Sequence, residues 1–228
     1  MDKPDFICTD LYPLKNSELI FLLNHFPQFN GEPEHAASLL LDMPSTLESL
    51  LSSQHVVDSV LKQNTLLLGM SPFLLFSVLL RQELPGHRSR LDRQVLNYLA
   101  NLLSLFVQKG RVNRVIGQDE DSYEYIVDML AAANQADTIR RFQIHAHIAN
   151  YALFLTGLFH EWLTHRHRYH KSLLGVDVYR DYARTYYYEA ANNPWASKYD
   201  IQQVFRRIAQ SYDIYMAALN RISRQCMQ

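Results

Sequence analysis

A chain of 228 residues with 48% apolar content can bury a packed core, and its formal charge of −1, from 22 basic and 23 acidic side chains, provides no global field to draw it to nucleic acid or an anionic membrane. Two cysteines, Cys8 and Cys226, are too few for a disulfide scaffold, and the start MDKPDFICTD carries acids and a proline where a secretory signal needs a basic start and an apolar run. These features predict a soluble, cytoplasmic protein.

Seven glycines, little strand-like alternation and apolar residues recurring at three and four predict helices throughout, about nine of them. Asn16 is placed to cap a short helix through SELIFLLNHF, and Pro33 to open a second, PEHAASLLLDM, which Pro44 ends. STLE at 45–48 has capping-box form, with Ser45 and Glu48 serving each other's backbone donors, and it opens a helix with apolar Leu47, Leu50, Leu51, Val57, Val60 and Leu61. The stretch LLLGMSPFLLFSVLL, residues 66–80, is nearly uncharged. With Ser71 as N-cap and Pro72 in the first turn, about a dozen apolar residues precede Arg81, short of the ~20 that a bilayer span needs, so a buried core helix is expected and no membrane segment. Pro85-Gly86 breaks it. A helix from about 90 to 109 follows, with Leu91, Val95, Leu99, Leu102 and Phe106 on one face and Gly110 as its stop.

GRVNRVIGQDED, residues 110–121, reads as the clearest loop and the weakest point of a single domain spanning 1–228. Asp121 or Ser122 is positioned to cap YEYIVDMLAAA, and Asp137 to cap the longest helix, 138–166, whose middle, IANYALFLTGLF, is apolar almost all round and marks the centre of the fold. Gly157 inside it costs roughly 1 kcal/mol relative to alanine and so points to a close helix crossing. After Gly175 comes VDVYRDYARTYYYEAANN, then Pro194 and a last helix in which Ile201, Phe205, Ile208, Tyr212, Tyr215, Leu219 and Ile222 step by four and three. This seam buries itself either on the helix before it or on a second copy of the chain, as a homodimer through 201–222. The expected fold is all-α: a single-domain helical bundle or layered helix array, with a long central helix near 138–166.

Chemistry-bearing residues concentrate in FHEWLTHRHRYHK, 159–171, which holds four histidines. No two of them are four apart; His167 and His170 are three apart but sit among Arg166, Arg168 and Lys171, where neighbouring cations disfavour a dication. His160 and Glu161 are adjacent and diverge on a helix, as do His145 and His147. No metal is therefore assigned. Arg166, Arg168 and Lys171 could join Arg111, Arg114, Arg140, Arg141, Arg206 and Arg207 in a phosphate-binding patch, but basic residues at a helix C-terminus also complement its dipole, and that plainer reading outweighs nucleic acid. The chain lacks GxGxxG, P-loop, GxSxG, CxxC and paired ExxH patterns, so no catalytic residue and no cofactor is assigned. Haem would need a lone buried histidine, His25, His145 or His147, and such a residue is more often a hydrogen-bonded core side chain. Tyr179, Tyr182 and Tyr186 share a helix face ahead of Tyr187 and Tyr188; packing is the expected role, with Tyr188 exposed if Tyr179 and Tyr186 face inward.

The blocks LGMSPFLLFSVLLR (68–81), ANYALFLTGLFHEWL (149–163) and GVDVYRDYARTYYYEAA (175–191) resemble a family of uncharacterised all-helical bacterial proteins of similar length. The resemblance implies a bacterial source and carries no established activity. The family often has proline after the Leu-Phe pair where this chain has His160, a departure that weighs against His160 as a required ligand. The functional expectation is a non-enzymatic protein-interaction or scaffold module with an unknown protein partner. The alternative is a small-molecule, metal or haem pocket at the C-terminal end of the central helix, where His160, Glu161, His165 and the tyrosines Tyr179, Tyr182 and Tyr186 converge; nucleic-acid binding through the local basic patch of Arg166, Arg168 and Lys171 ranks third. A pocket lined by His160, Glu161 and Tyr179 favours the alternative, and a helical face with exposed apolar residues favours the first.

Overall fold

The computed structural model describes residues 3–24, 26, 29–62, 70–86, 89–168 and 175–226. His25, His170, Lys171 and the start of the 66–80 stretch lie outside them. The described residues form two compact units, one spanning Asp10–Ser104 and a larger one made of Met1–Thr9 with Leu105–Gln228. Secondary structure among them is helical: thirteen α-helices against the nine expected, because three expected helices each divide in two and a further short one opens at Pro194.

The smaller unit holds α1 (Asn16–Asn24), α2 (Pro33–Leu41), α3 (Pro44–Leu51), α4 (Gln54–Lys62), α5 (Pro72–Glu83) and most of α6 (Arg90–Phe106). Prolines open α2, α3 and α5, where a missing N–H costs nothing. The expected helix from 45 divides at adjacent serines: Ser52 caps α3 and donates its hydroxyl to Glu48 O (2.8 Å), while Ser53 Oγ accepts Val56 N of α4 (3.4 Å). The capping box does not form. Glu48 instead takes a two-pronged bond from the buried Arg81, Nε and Nη2 each at 2.7 Å, and Arg81 also donates to Asn97 Oδ1 (2.7 Å) and Ser77 O (3.0 Å). A fork of two charge-assisted bonds outcompetes one backbone N–H. Nor does Asn16 cap α1: the buried Glu18 accepts Lys15 N (2.9 Å) and reaches Ser71 N (2.7 Å), ahead of α5. Ser71 caps α5 as expected, through Leu74 N (3.2 Å), and most of that helix is buried. No helix among the described residues is long and apolar enough to cross a membrane.

The larger unit is organised on α8 (Thr138–Leu158), which packs against α7 (Ile126–Gln135), α10 (Val176–Asn192), α11 (Pro194–Lys198) and α13 (Tyr212–Cys226). Asp137 caps it through Arg140 N (2.8 Å). Fourteen of its 21 residues are buried, as an all-round apolar helix must be. Two of its buried polar residues meet tyrosines: Asn150 accepts Tyr187 OH (2.8 Å), and the Thr156 hydroxyl meets Tyr212 OH (2.6 Å). Neither Asp121 nor Ser122 caps α7, which begins only after Tyr125, because Tyr123 N is spent on Asn113 O (2.7 Å) in the preceding loop. Asp5 holds that loop from the N-terminal segment, pairing with buried Arg111 and accepting Gly117 N.

The last expected helix, 199–223, is two, α12 (Gln202–Gln210) and α13, separated at Ser211; the short α11 precedes it and ends before Asp200. The apolar seam runs through both α12 and α13, and all seven of its residues are at most 1% exposed. It is consumed inside the chain: Phe205 meets Tyr187 of α10 (5.5 Å between rings), while Tyr212 and Leu219 meet α8. Of the two ways the seam could bury itself, it is covered within the chain. At the α8–α13 crossing a Cβ on Gly157 would stand 2.7 Å from both Cβ and Cδ1 of Leu219, below any ordinary contact. Gly157→Ala is expected to lower stability by about 1–2 kcal/mol, since overpacking outweighs the roughly 1 kcal/mol of added helix propensity. Urea denaturation checks this; an unchanged or raised midpoint would show that the crossing has room.

Candidate functional site

Helical spacing brings Tyr179, Tyr182 and Tyr186 to the face of α10 that looks toward α8. There they pack, with Tyr123 and Tyr151, on a buried apolar cluster of Val115, Ile126, Met129, Ala133, Ile144 and Ile148. All five rings are half-buried, so their polar tips stay near solvent. His145 meets the Tyr186 ring at 5.1 Å, and Tyr182 lies 6.1 Å from it. Burial pushes the Tyr151 phenol up to about 12, with Tyr179 adding to it and Arg166 opposing; burial also raises Tyr179 and Tyr186. Burial lowers His145, against a smaller opposing pull from Glu189. At neutral pH the face is therefore uncharged, amphipathic aromatic surface. On either side of the inward-facing Ile126, Tyr125 and Val127 stand 64% and 60% exposed; the exposed acids Glu124 and Glu189 act on Tyr151 and on His145 and Tyr186, and Asp128, Asp177 and Asp181 of α7 and α10 are exposed as well.

The other feature lies where the expected 138–166 helix breaks. Phe159 leaves helical geometry (φ −117°, ψ 29°), and the chain restarts as α9 (His160–Arg168). The break is stabilised from α13: Asn220 Nδ2 donates to Thr156 O (3.1 Å) and Ser223 Oγ to Leu158 O (2.7 Å), satisfying carbonyls that the end of α8 leaves open. Between these elements is a cleft of about 480 Å³ lined by Leu158, Phe159, His160, Glu161, Trp162, Asn220, Ser223 and Arg224. A shallower hollow of about 360 Å³ on α9 is lined by His160, Glu161, Thr164, His165 and Arg168.

Of the residues singled out in the sequence, His160, Glu161, His165 and Arg168 thus come together, while Tyr179 and Tyr182 belong to the aromatic face. Arg166 lies between, its guanidinium 4.7 Å over the Trp162 ring and its charge felt by Tyr151 and Tyr179. No three His, Cys, Asp or Glu side chains among the described residues are placed to hold a metal ion. His147 is core, with Phe106 and Tyr151 rings against it. Two arginines of the notional phosphate patch are engaged elsewhere, Arg111 with Asp5 (2.7 Å) and Arg140 with Asp119 (2.9 Å). Tyr123, Tyr151, Trp162, Asn220, Ser223 and Arg224 were not singled out, and only Trp162 had a local signal, its spacing of four from Arg166. Comparison with protein-family models, curated proteins and solved structures yields no match.

Proposed function

We propose that the chain is a protein-interaction module that binds rather than catalyses, and that a partner docks on the tyrosine face of α7, α8 and α10. One observation carries the reading: five half-buried tyrosines lie on an apolar cluster, Tyr125 acts on one of them, Tyr151, and Tyr125 and Val127, flanking the inward-facing Ile126 of α7, stand exposed. Tyrosines offer large contact area at low entropic cost, and such residues dominate binding energy at protein interfaces. The exposed acids Glu124 and Glu189, whose charges reach the face, favour a partner segment that carries lysine or arginine, which can also stack on the rings.

The test is site-directed photocrosslinking in the source cells. A photoreactive residue at Val127 is expected to yield a discrete protein adduct, and the same residue at Ile214, 49% exposed on α13, is expected to yield none. Equal adducts at both positions, or none at Val127, would exclude this face as the docking surface. The paired substitution Tyr125→Ser with Val127→Ser is expected to leave stability within about 0.5 kcal/mol, since both side chains are mostly in water, and to abolish the adduct formed by a probe placed at the neighbouring Asp128.

A further inference from the structure

We propose that the cleft at the α8–α9 corner is a binding site for a small organic ammonium ion with an apolar or aromatic body. The inference rests on residues other than those of the tyrosine face. At about 480 Å³ the cleft has the size of a small-molecule site. Its apolar wall is Leu158, Phe159 and Trp162, with Phe159 braced against Phe154 at 5.2 Å between rings. The indole already holds a cation, the Arg166 guanidinium, at 4.7 Å.

The polar wall selects for donors. Asn220 spends its amide nitrogen on Thr156 O (3.1 Å) and Met216 O (2.7 Å), so its oxygen is what remains to meet a ligand. Ser223 has committed its proton to Leu158 O. The exposed carboxylate of Glu161 stands 3.7 Å from Arg224 Nε, a loose contact that a ligand cation can replace. Beneath them α8 presents the negative end of its dipole. Acceptors and negative charge over an aromatic floor are the complement of R–NH3+.

The experiment uses the full chain with Trp195→Phe, so that Trp162 is the one remaining tryptophan of the two. Phenethylammonium is expected to change its fluorescence saturably, with phenylacetate, the charge-reversed probe, about tenfold weaker or worse. Glu161→Gln is expected to weaken phenethylammonium about threefold, as for one exposed ion pair, and Arg224→Gln to leave it unchanged or tighter. Phenylacetate binding as well as the ammonium, no saturation by either at about 10 mM, or an affinity indifferent to Glu161→Gln would overturn the proposal. Calorimetric titration of the unsubstituted chain with the same two probes separates these outcomes if Trp195→Phe fails to fold.

Discussion

Glu48→Ala is expected to cost the Asp10–Ser104 unit about 3–5 kcal/mol, because it strands a buried cation. The Arg81 side chain is 2% exposed and Glu48 15%, and Glu48 supplies two of the three acceptors at 2.7 Å and the negative charge among them. What remains, Asn97 Oδ1 and Ser77 O, is neutral. The attraction within the pair largely offsets the cost of taking both charges out of water, so removing both together should be far milder: Glu48→Leu with Arg81→Met is expected to fall within about 2 kcal/mol of the native chain. Urea denaturation of the three proteins measures both differences. If Glu48→Ala costs less than about 1 kcal/mol, water reaches the guanidinium and the pair is a surface one.

The larger unit is expected to lose stability in acid through His147. This side chain is 1% exposed, its Nε2 has no partner, and its ring bonds to the Val112 backbone. Burial, then the positive charges of Arg111 and Arg140, push its pKa down to about 3. Tyr151, whose own phenol stays neutral, is the other titratable group against it. Since the folded value lies below the ordinary one near 6.5, the unfolded chain takes up the proton first. The stabilisation is complete above about pH 6.5 and is lost as pH falls toward about 3, by up to ~5 kcal/mol. His147→Asn keeps a donor near the Val112 carbonyl and cannot titrate. Carboxylates as a class also titrate in acid, so the quantity to measure is the difference in unfolding free energy between native chain and variant at pH 7 and pH 4. That difference is expected to shift in the variant's favour at pH 4; a constant difference would mean that His147 is not held neutral by the fold.

Much of the architecture was legible beforehand because its determinants are local. Pro33, Ser71 with Pro72, Asp137 and Gly175 mark helix starts through their own backbone chemistry, and the 4-3 seam marks buried residues whatever covers them. The candidate site was half legible. The histidine-rich segment stood out, though as the end of one 138–166 helix and not as a separate α9, and its polar companions Asn220, Ser223 and Arg224 lie some 60 residues away and read as ordinary helix surface. Tyr151 and Tyr123 likewise gain meaning only beside α10. His145 and His147, two apart and alike in sequence, part company because one faces Tyr186 and the other Phe106.

The sequence by itself determined an all-helical chain, the positions of most helix starts, the apolar all-round character of α8 and the burial of the 201–222 seam. Tertiary structure alone decided where helices stop and what their polar residues do. Glu48 abandons a local capping box for Arg81, the 138–166 helix ends early because Asn220 and Ser223 bond its last carbonyls, and the seam turns inward because α8 and α10 cover it. The physical reason is that a helix start needs one side chain within a turn to satisfy its N–H groups. A helix end, a buried charge or an apolar seam takes whichever partner the rest of the fold brings within reach, and no window of neighbouring residues contains that partner.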